Sequence, residues 1–159
     1  MSDNFKKITL NKNFDESLIR DAYLYACHKD IEAIKPGNVN INSPHHDTTA
    51  SDYLISSINS GSELFNDSYS LGDRILSAIV ATKKETQMNT NLGIILLCAP
   101  IAHALLNYKE MSLKEAIAKT IDSATADDTV KICEAINIAN PGGLGNVSDY
   151  DTKSMPVVK

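Results

Sequence analysis

The chain has 159 residues, 43% hydrophobic and 22% charged, with a net charge of −5. That length fits one domain with a core of its own, and the composition is that of a folded globular protein, neither disordered nor membrane-like. The acidic balance argues against a nucleic-acid binder, whose binding face is normally basic. It leaves room for a nucleotide substrate, because one lysine or one helix terminus can hold a phosphate.

Met1–Asn13 lacks the apolar stretch of a secretory signal. From there the apolar spacing is helical nearly throughout, with capping pairs at the starts. Asn13 with Glu16 is expected to open a helix to about Ala33, with Leu18, Ala22, Tyr25 and Ala26 on its apolar stripe. Residues 34–48 follow as a polar loop holding Pro36, Gly37 and Pro44. Thr49 with Asp52 opens the next helix, with Tyr53, Leu54, Ser57 and Ile58 expected inward. Ser70 with Asp73 opens a third, with Leu71, Ile75, Ala78, Ile79 and Thr82 on one period. Leu92–Leu106 is the most apolar run, but it contains Pro100 and His103 and is shorter than the roughly 20 residues of a membrane span. It reads as a core helix. Ser112 with Glu115 and Thr125 with Asp128 start two more helices, ending near Thr120 and Ala139, and a glycine-bearing tail closes the chain.

Strand signals are confined to the weak alternation of Phe5–Leu10 and the short Asn38–Ile41. Without repeated strand–helix alternation, the expected class is all-α: one compact helical domain over residues 1–159 with ligand-binding loops. Cys27, Cys98 and Cys133 are far apart and form no CxxC pair, so the expectation is reduced thiols in a cytoplasmic protein and no zinc site.

Three loops carry ligand-handling chemistry. In Lys35-Pro36-Gly37-Asn38-Val39 a cation precedes a stiff turn that leaves room for a phosphate, or else the lysine merely sits favourably at a helix C-terminus. Asn89-Thr90-Asn91-Leu92-Gly93 stands at the mouth of the apolar helix, where unpaired N–H groups and a positive dipole end suit an anion. Pro141-Gly142-Gly143-Leu144-Gly145 spends three glycines where a plain turn needs fewer, which suits a ligand packed on bare backbone. It is neither GxGxxG nor a Walker loop. His45-His46-Asp47 offers an imidazole for proton transfer and a carboxylate for a divalent cation or a developing positive charge; alternatively it only leads into a helix cap. Asp73-Arg74 is either functional or a cap and a surface ion pair, and His103 is expected to be a satisfied core histidine. Asp122, Asp127 and Asp128 are expected to cap and solvate helix ends, while Asp149 and Asp151 either join a metal–phosphate site or solvate the tail.

Taken in order, Lys35–Val39 with His45–Asp47, Leu71-Gly72-Asp73-Arg74-Ile75-Leu76, Asn89–Gly93 and Ala139–Gly145 resemble the triphosphoribosyl-dephospho-CoA synthase family over about residues 17–151. The Asn-Thr-Asn-Leu-Gly and Asn-Pro-Gly-Gly-Leu-Gly forms are closer to its archaeal-type, tetrahydromethanopterin-associated branch than to the citrate lyase enzymes. The resemblance implies an all-helical enzyme in which the 2′-hydroxyl of 3′-dephospho-CoA attacks the ribose C1′ of ATP and adenine leaves. Extending the motif matches, we expect Asp47, with Asp73 second, to stabilise the cationic reacting carbon or hold Mg²⁺, and His46 to accept the proton. Lys35, Gly37, Asn38, Arg74, Asn89, Thr90, Asn91, Gly93, Gly142, Gly143 and Gly145 are the expected nucleotide contacts. The implied partners are Mg·ATP and a dephospho-CoA-like acceptor, with no nucleic acid or membrane. Family members run considerably longer, so either a second polypeptide completes the fold, or this is an N-terminal part whose Leu92–Leu106 helix is partly exposed; the expected association is a homo-oligomer or a complementing C-terminal chain. The competing functions are another nucleotide-dependent enzyme of one-carbon cofactor metabolism and a non-catalytic ATP-binding module.

Overall fold

The computed structural model describes residues 15–35, 38–44, 47–142, 145 and 151–152. Six helices form: α1 (Glu16–Glu32), α2 (Ala50–Leu64), α3 (Leu71–Thr86), α4 (Leu92–Asn107), α5 (Leu113–Asp122) and α6 (Ala126–Ala139). The class is all-α. Extended pairing among the described residues is limited to isolated bridges, such as Asn40–Ser43, and Phe5–Leu10 lies outside them. No helix is long and apolar enough to cross a membrane among the described residues.

The starts follow local chemistry. Asp15 accepts from Leu18 N to cap α1, two residues after the expected Asn13, which lies outside the described residues. Thr49 with Asp52, Ser112 with Glu115 and Thr125 with Asp128 form capping boxes, and Ser70 accepts from Asp73 N at α3.

The buried faces follow expectation on α3, where Leu71, Ile75, Ala78, Ile79 and Thr82 are all inside. They depart from it on α1 and α2. In α1 the buried stripe is Ile19, Tyr23, Cys27 and Ile31, while Leu18 and Tyr25 are 50% and 65% exposed. In α2 the buried residues are Ser56, Ser57, Ser60, Gly61 and Leu64, while Ile58 is 63% exposed. Small side chains let α1 and α3 approach α2 closely, and the serine hydroxyls are satisfied locally. Ser56 donates to Asp52 O at 2.6 Å, Ser57 to Leu54 O at 2.8 Å and Ser60 to Ser56 O at 2.7 Å. Once its hydroxyl is so bonded, a serine can be buried at little cost.

Helix α3 packs against α2, α4 and α6, with α1 on α2 and α5 on α4. The all-round apolar α4 leaves Leu97 66% exposed, with Ile94, Leu96, Cys98 and Ile101 half-buried. Burial pushes the Cys27 thiol up to about 11 and raises that of Cys98, so both are neutral at pH 7. The α2–α3 turn is held from within by Arg74. It is fully buried and donates to Leu64 O and, at 3.3 Å, to Tyr69 O. Burial, outweighing the pull of Asp67 and Glu16, brings its guanidinium down to about 10.

Helices α3 and α6 run parallel, their N-termini joined through Asp128. Far from solvating an end, Asp128 is 4% exposed. One carboxylate oxygen accepts from Gly72 N at 2.7 Å, the other from Thr125 N at 2.9 Å and Thr125 Oγ1 at 2.8 Å. Burial raises its pKa, but these N–H donors and the hydroxyls of Ser70 and Thr125 outweigh it and hold the group strongly ionised. Gly72 has to be glycine here, because a Cβ would lie 2.6 Å from Asp128 Cα.

Gly72→Ala is therefore expected to destabilise the fold by about 1–3 kcal/mol through overpacking. Asp128→Asn is expected to cost about 2–3 kcal/mol at pH 7. Because the folded pKa is depressed, this stability is fully present above the unfolded value of about 4 and fades as pH falls towards the folded one. The gap between wild type and variant in urea unfolding should therefore begin to narrow below about pH 4 and go on closing as the pH falls further. Arg74→Lys, which cannot reach both carbonyls in the same fork, is expected to cost about 2–4 kcal/mol in the same measurement.

Candidate functional site

Antiparallel packing of α1 on α2 and of α2 on α3, with the parallel α3–α6 pair, gathers several loops at one end of the bundle. Ile41 N donates to Ile31 O at 3.2 Å, tying the 38–44 segment to the last turn of α1 just before α2 begins. At that end α3 stops on Gln87 and α6 on Asn140, both in the left-handed region with φ of 56° and 48°. A shallow hollow there is lined by Ile79, Thr82, Lys83, Met88, Asn89, Asn91 and Ala139. Its walls are the Asn-rich turn and the end of α6, where the Gly-rich loop begins.

The mouth of α4 is built differently from the other five helix starts. Asn91 is its N-cap but makes no side-chain capping bond. The side chain is turned into the core, 5% exposed, where Nδ2 donates to Ser60 Oγ at 3.1 Å, Ser56 O at 3.2 Å and Thr82 Oγ1 at 3.2 Å. Thr90, 7% exposed, pairs with Ser56 Oγ at 2.5 Å. Asn89 stays exposed and accepts a long 3.4 Å bond from Leu92 N. Gly93 is exposed, with nothing within 4 Å of where a Cβ would stand. Leu92 N is thus taken by Asn89, while the exposed Gly93 brings the backbone of the first turn to open space at a positive dipole end.

The remaining expected residues divide by location. Lys35 belongs to this end and is paired with Asp30 at 2.5 Å, with Asn38 N donating to its carbonyl. Asp47 is exposed, two residues before the α2 cap. Gly142 is exposed with open space around it, and Gly145 has a φ of 63°. Gly37, His46, Gly143 and Asp149 lie outside the described residues. Asp151 is half-buried, and its neighbour Thr152 accepts from Asn137 Nδ2 at 2.6 Å, bringing that segment onto α6.

Asp73 and Arg74 are at the other end of α3, about 20 Å along the axis from the Asn-rich turn. Asp73 is bonded to Lys131 at 2.7 Å, and that lysine also reaches Asp127 at 2.7 Å. The Lys131 hydrogen bond holds the Asp73 carboxyl below its ordinary range. Asp47 and Asp73, on opposite ends, cannot share one cation, and no cluster of three metal-ligating side chains occurs among the described residues. His103 is on α4 towards this second end. Its Nδ1 is buried without a partner, contrary to the expected satisfied histidine, and burial, then the Arg74 charge, lowers its pKa.

Lys83 is the residue that sequence patterning passed over. It lines the hollow beside Asn89 and, among the described residues, has no ion pair, whereas Lys29 and Lys35 have one each and Lys131 has two. In the sequence it looks like an ordinary last-turn lysine complementing a helix dipole. Only the left-handed turn at Gln87 brings the Asn segment back beside it.

Across its length, the chain matches the ATP:dephospho-CoA triphosphoribosyl transferase family over residues 16–157. No curated protein and no solved structure gives a match. A match of that extent, running through all four motif stretches, shows that the chain belongs to the ATP:dephospho-CoA triphosphoribosyl transferase family.

Proposed function

We propose that this protein transfers the triphosphoribosyl group of Mg·ATP to the 2′-hydroxyl of 3′-dephospho-CoA or a closely related acceptor, with release of adenine. The observation that supports this most directly is the first turn of α4, not capped by its N-cap side chain and open at Gly93, beside Lys83, which has no ion pair among the described residues, and the start of the Gly-rich loop. A triphosphate placed there meets backbone N–H donors, a dipole end and a cation together. Mg²⁺ would come with the triphosphate and offset its charge, and Asp47, an exposed carboxylate at this end, is the candidate to hold it or to face the ribose. Lys35 is the second cation of the site, available by exchanging Asp30 for phosphate.

In the reaction the C1′–N9 bond breaks and its electron pair leaves with adenine, which takes up a proton. The acceptor oxygen forms the new bond to C1′ and gives up its own proton, for which His46 is the proposed base. Positive charge develops on C1′, and an ionised carboxylate at Asp47 lowers that barrier. Gly142, Gly143 and Gly145 let the flat base or a phosphate approach the backbone closely.

Incubation with Mg·ATP and dephospho-CoA is expected to yield free adenine by chromatography. ATP consumption without adenine would point instead to another nucleotide-dependent reaction, and binding without turnover to a non-catalytic module. Asp47→Ala is expected to lower kcat about 100-fold or more with an unchanged melting temperature, because the side chain is exposed. Lys83→Ala is expected to weaken Mg·ATP binding about tenfold by calorimetry, and more than Lys35→Ala does. The reverse order would move the phosphate cation to Lys35.

A further inference from the structure

Thr90 and Asn91 look in sequence like substrate contacts, yet the side-chain protons they could give a ligand are already spent. The Ser56 hydroxyl has one proton, and it goes to Asp52 O at 2.6 Å. In the 2.5 Å contact with Thr90, Ser56 must therefore accept, so the single proton of Thr90 is committed. The Ser60 hydroxyl likewise gives its proton to Ser56 O at 2.7 Å. Its two lone pairs take Tyr23 O–H at 2.8 Å and Asn91 N–H at 3.1 Å, which fills its capacity. The orientation of the Asn91 amide follows from chemistry, since its partner Ser56 O is a carbonyl and can only accept. Ser56 and Ser60 are fully buried. Breaking this set to reach a ligand would strand buried donors and acceptors.

We propose that Ser56 and Ser60 of α2, with Tyr23 of α1, are positioning residues for the substrate site. They hold Thr90 and Asn91 inward, so that the 89–93 segment donates hydrogen bonds to substrate through Asn89 and its backbone rather than through Thr90 or Asn91. This rests on the reading of the α4 mouth as the ATP triphosphate site.

A double-mutant cycle on the full chain, read by calorimetry with Mg·ATP, tests it. Thr90→Val is expected to weaken binding at least about tenfold, and Thr90→Ser, which keeps the hydroxyl, to restore it nearly to wild type. Ser56→Ala is expected to lose a similar factor. The pair Ser56→Ala with Thr90→Val, which leaves two apolar groups facing each other, should be no weaker than the weaker single variant. Losses that multiply in the double variant would overturn the proposal, since they would mean that Thr90 touches the ligand independently of Ser56. Wild-type affinity in Thr90→Val would overturn it too. A folded wild-type chain that does not bind Mg·ATP would instead remove the functional reading, and the positioning role with it.

Discussion

The Ser60 hydroxyl has one proton and two lone pairs, and three parts of the chain converge on them. Its own helix takes the proton, α1 supplies Tyr23, and the turn between α3 and α4 supplies Asn91. Because each of these groups is buried, none can find a substitute partner in water, and the set is formed together or not at all. The inward pull on Asn91 takes the N-cap side chain away from the first turn of α4 and leaves only the long Asn89 bond there, so the same bonds that close the core open the helix mouth. Stability and site are two outcomes of one hydrogen-bond arrangement.

A second constraint acts at the far end. Asp128 serves its own helix as a capping carboxylate and serves α3 through Gly72 N, so two positive helix ends share one negative charge. That shared charge fixes α3 and α6 as parallel neighbours. Their C-termini then emerge together, and the Asn-rich turn and the Gly-rich loop leave the bundle side by side. The Leu-Gly-Asp-Arg stretch thereby has a structural account: Gly72 for close approach, Asp73 paired with Lys131, and Arg74 tying down the preceding turn.

What was legible in the sequence was what depends on neighbours within a turn. The caps at Thr49, Ser70, Ser112 and Thr125 were readable because each involves residues three apart. The motif order was readable too, and it carried the family. The buried faces of α1 and α2 were not. An apolar count favours Ile58 over Ser60 and does not separate Leu18 from Ile19, whereas packing favours small residues where helices approach closely and a tyrosine where a serine waits for its proton. The candidate site was legible as three loops but not as a set of side-chain roles. Lys83 had no marking beyond its place in a last turn, and Arg74 looked no different from a surface arginine.

By itself, the sequence determined that the chain is helical, where most helices start and stop, and which family it belongs to. Those follow from periodicity, capping and motif order, all read along the chain. Only the tertiary structure decided which helix faces are buried, that Asp73 and Arg74 sit away from the other motifs, and that Asn91 points inward while Lys83 lines the hollow. The reason is physical: the partners that settle these choices, Ser56 with Thr90, Ser60 with Asn91 and Gly72 with Asp128, are separated by more than 30 residues and compete only once the helices have packed.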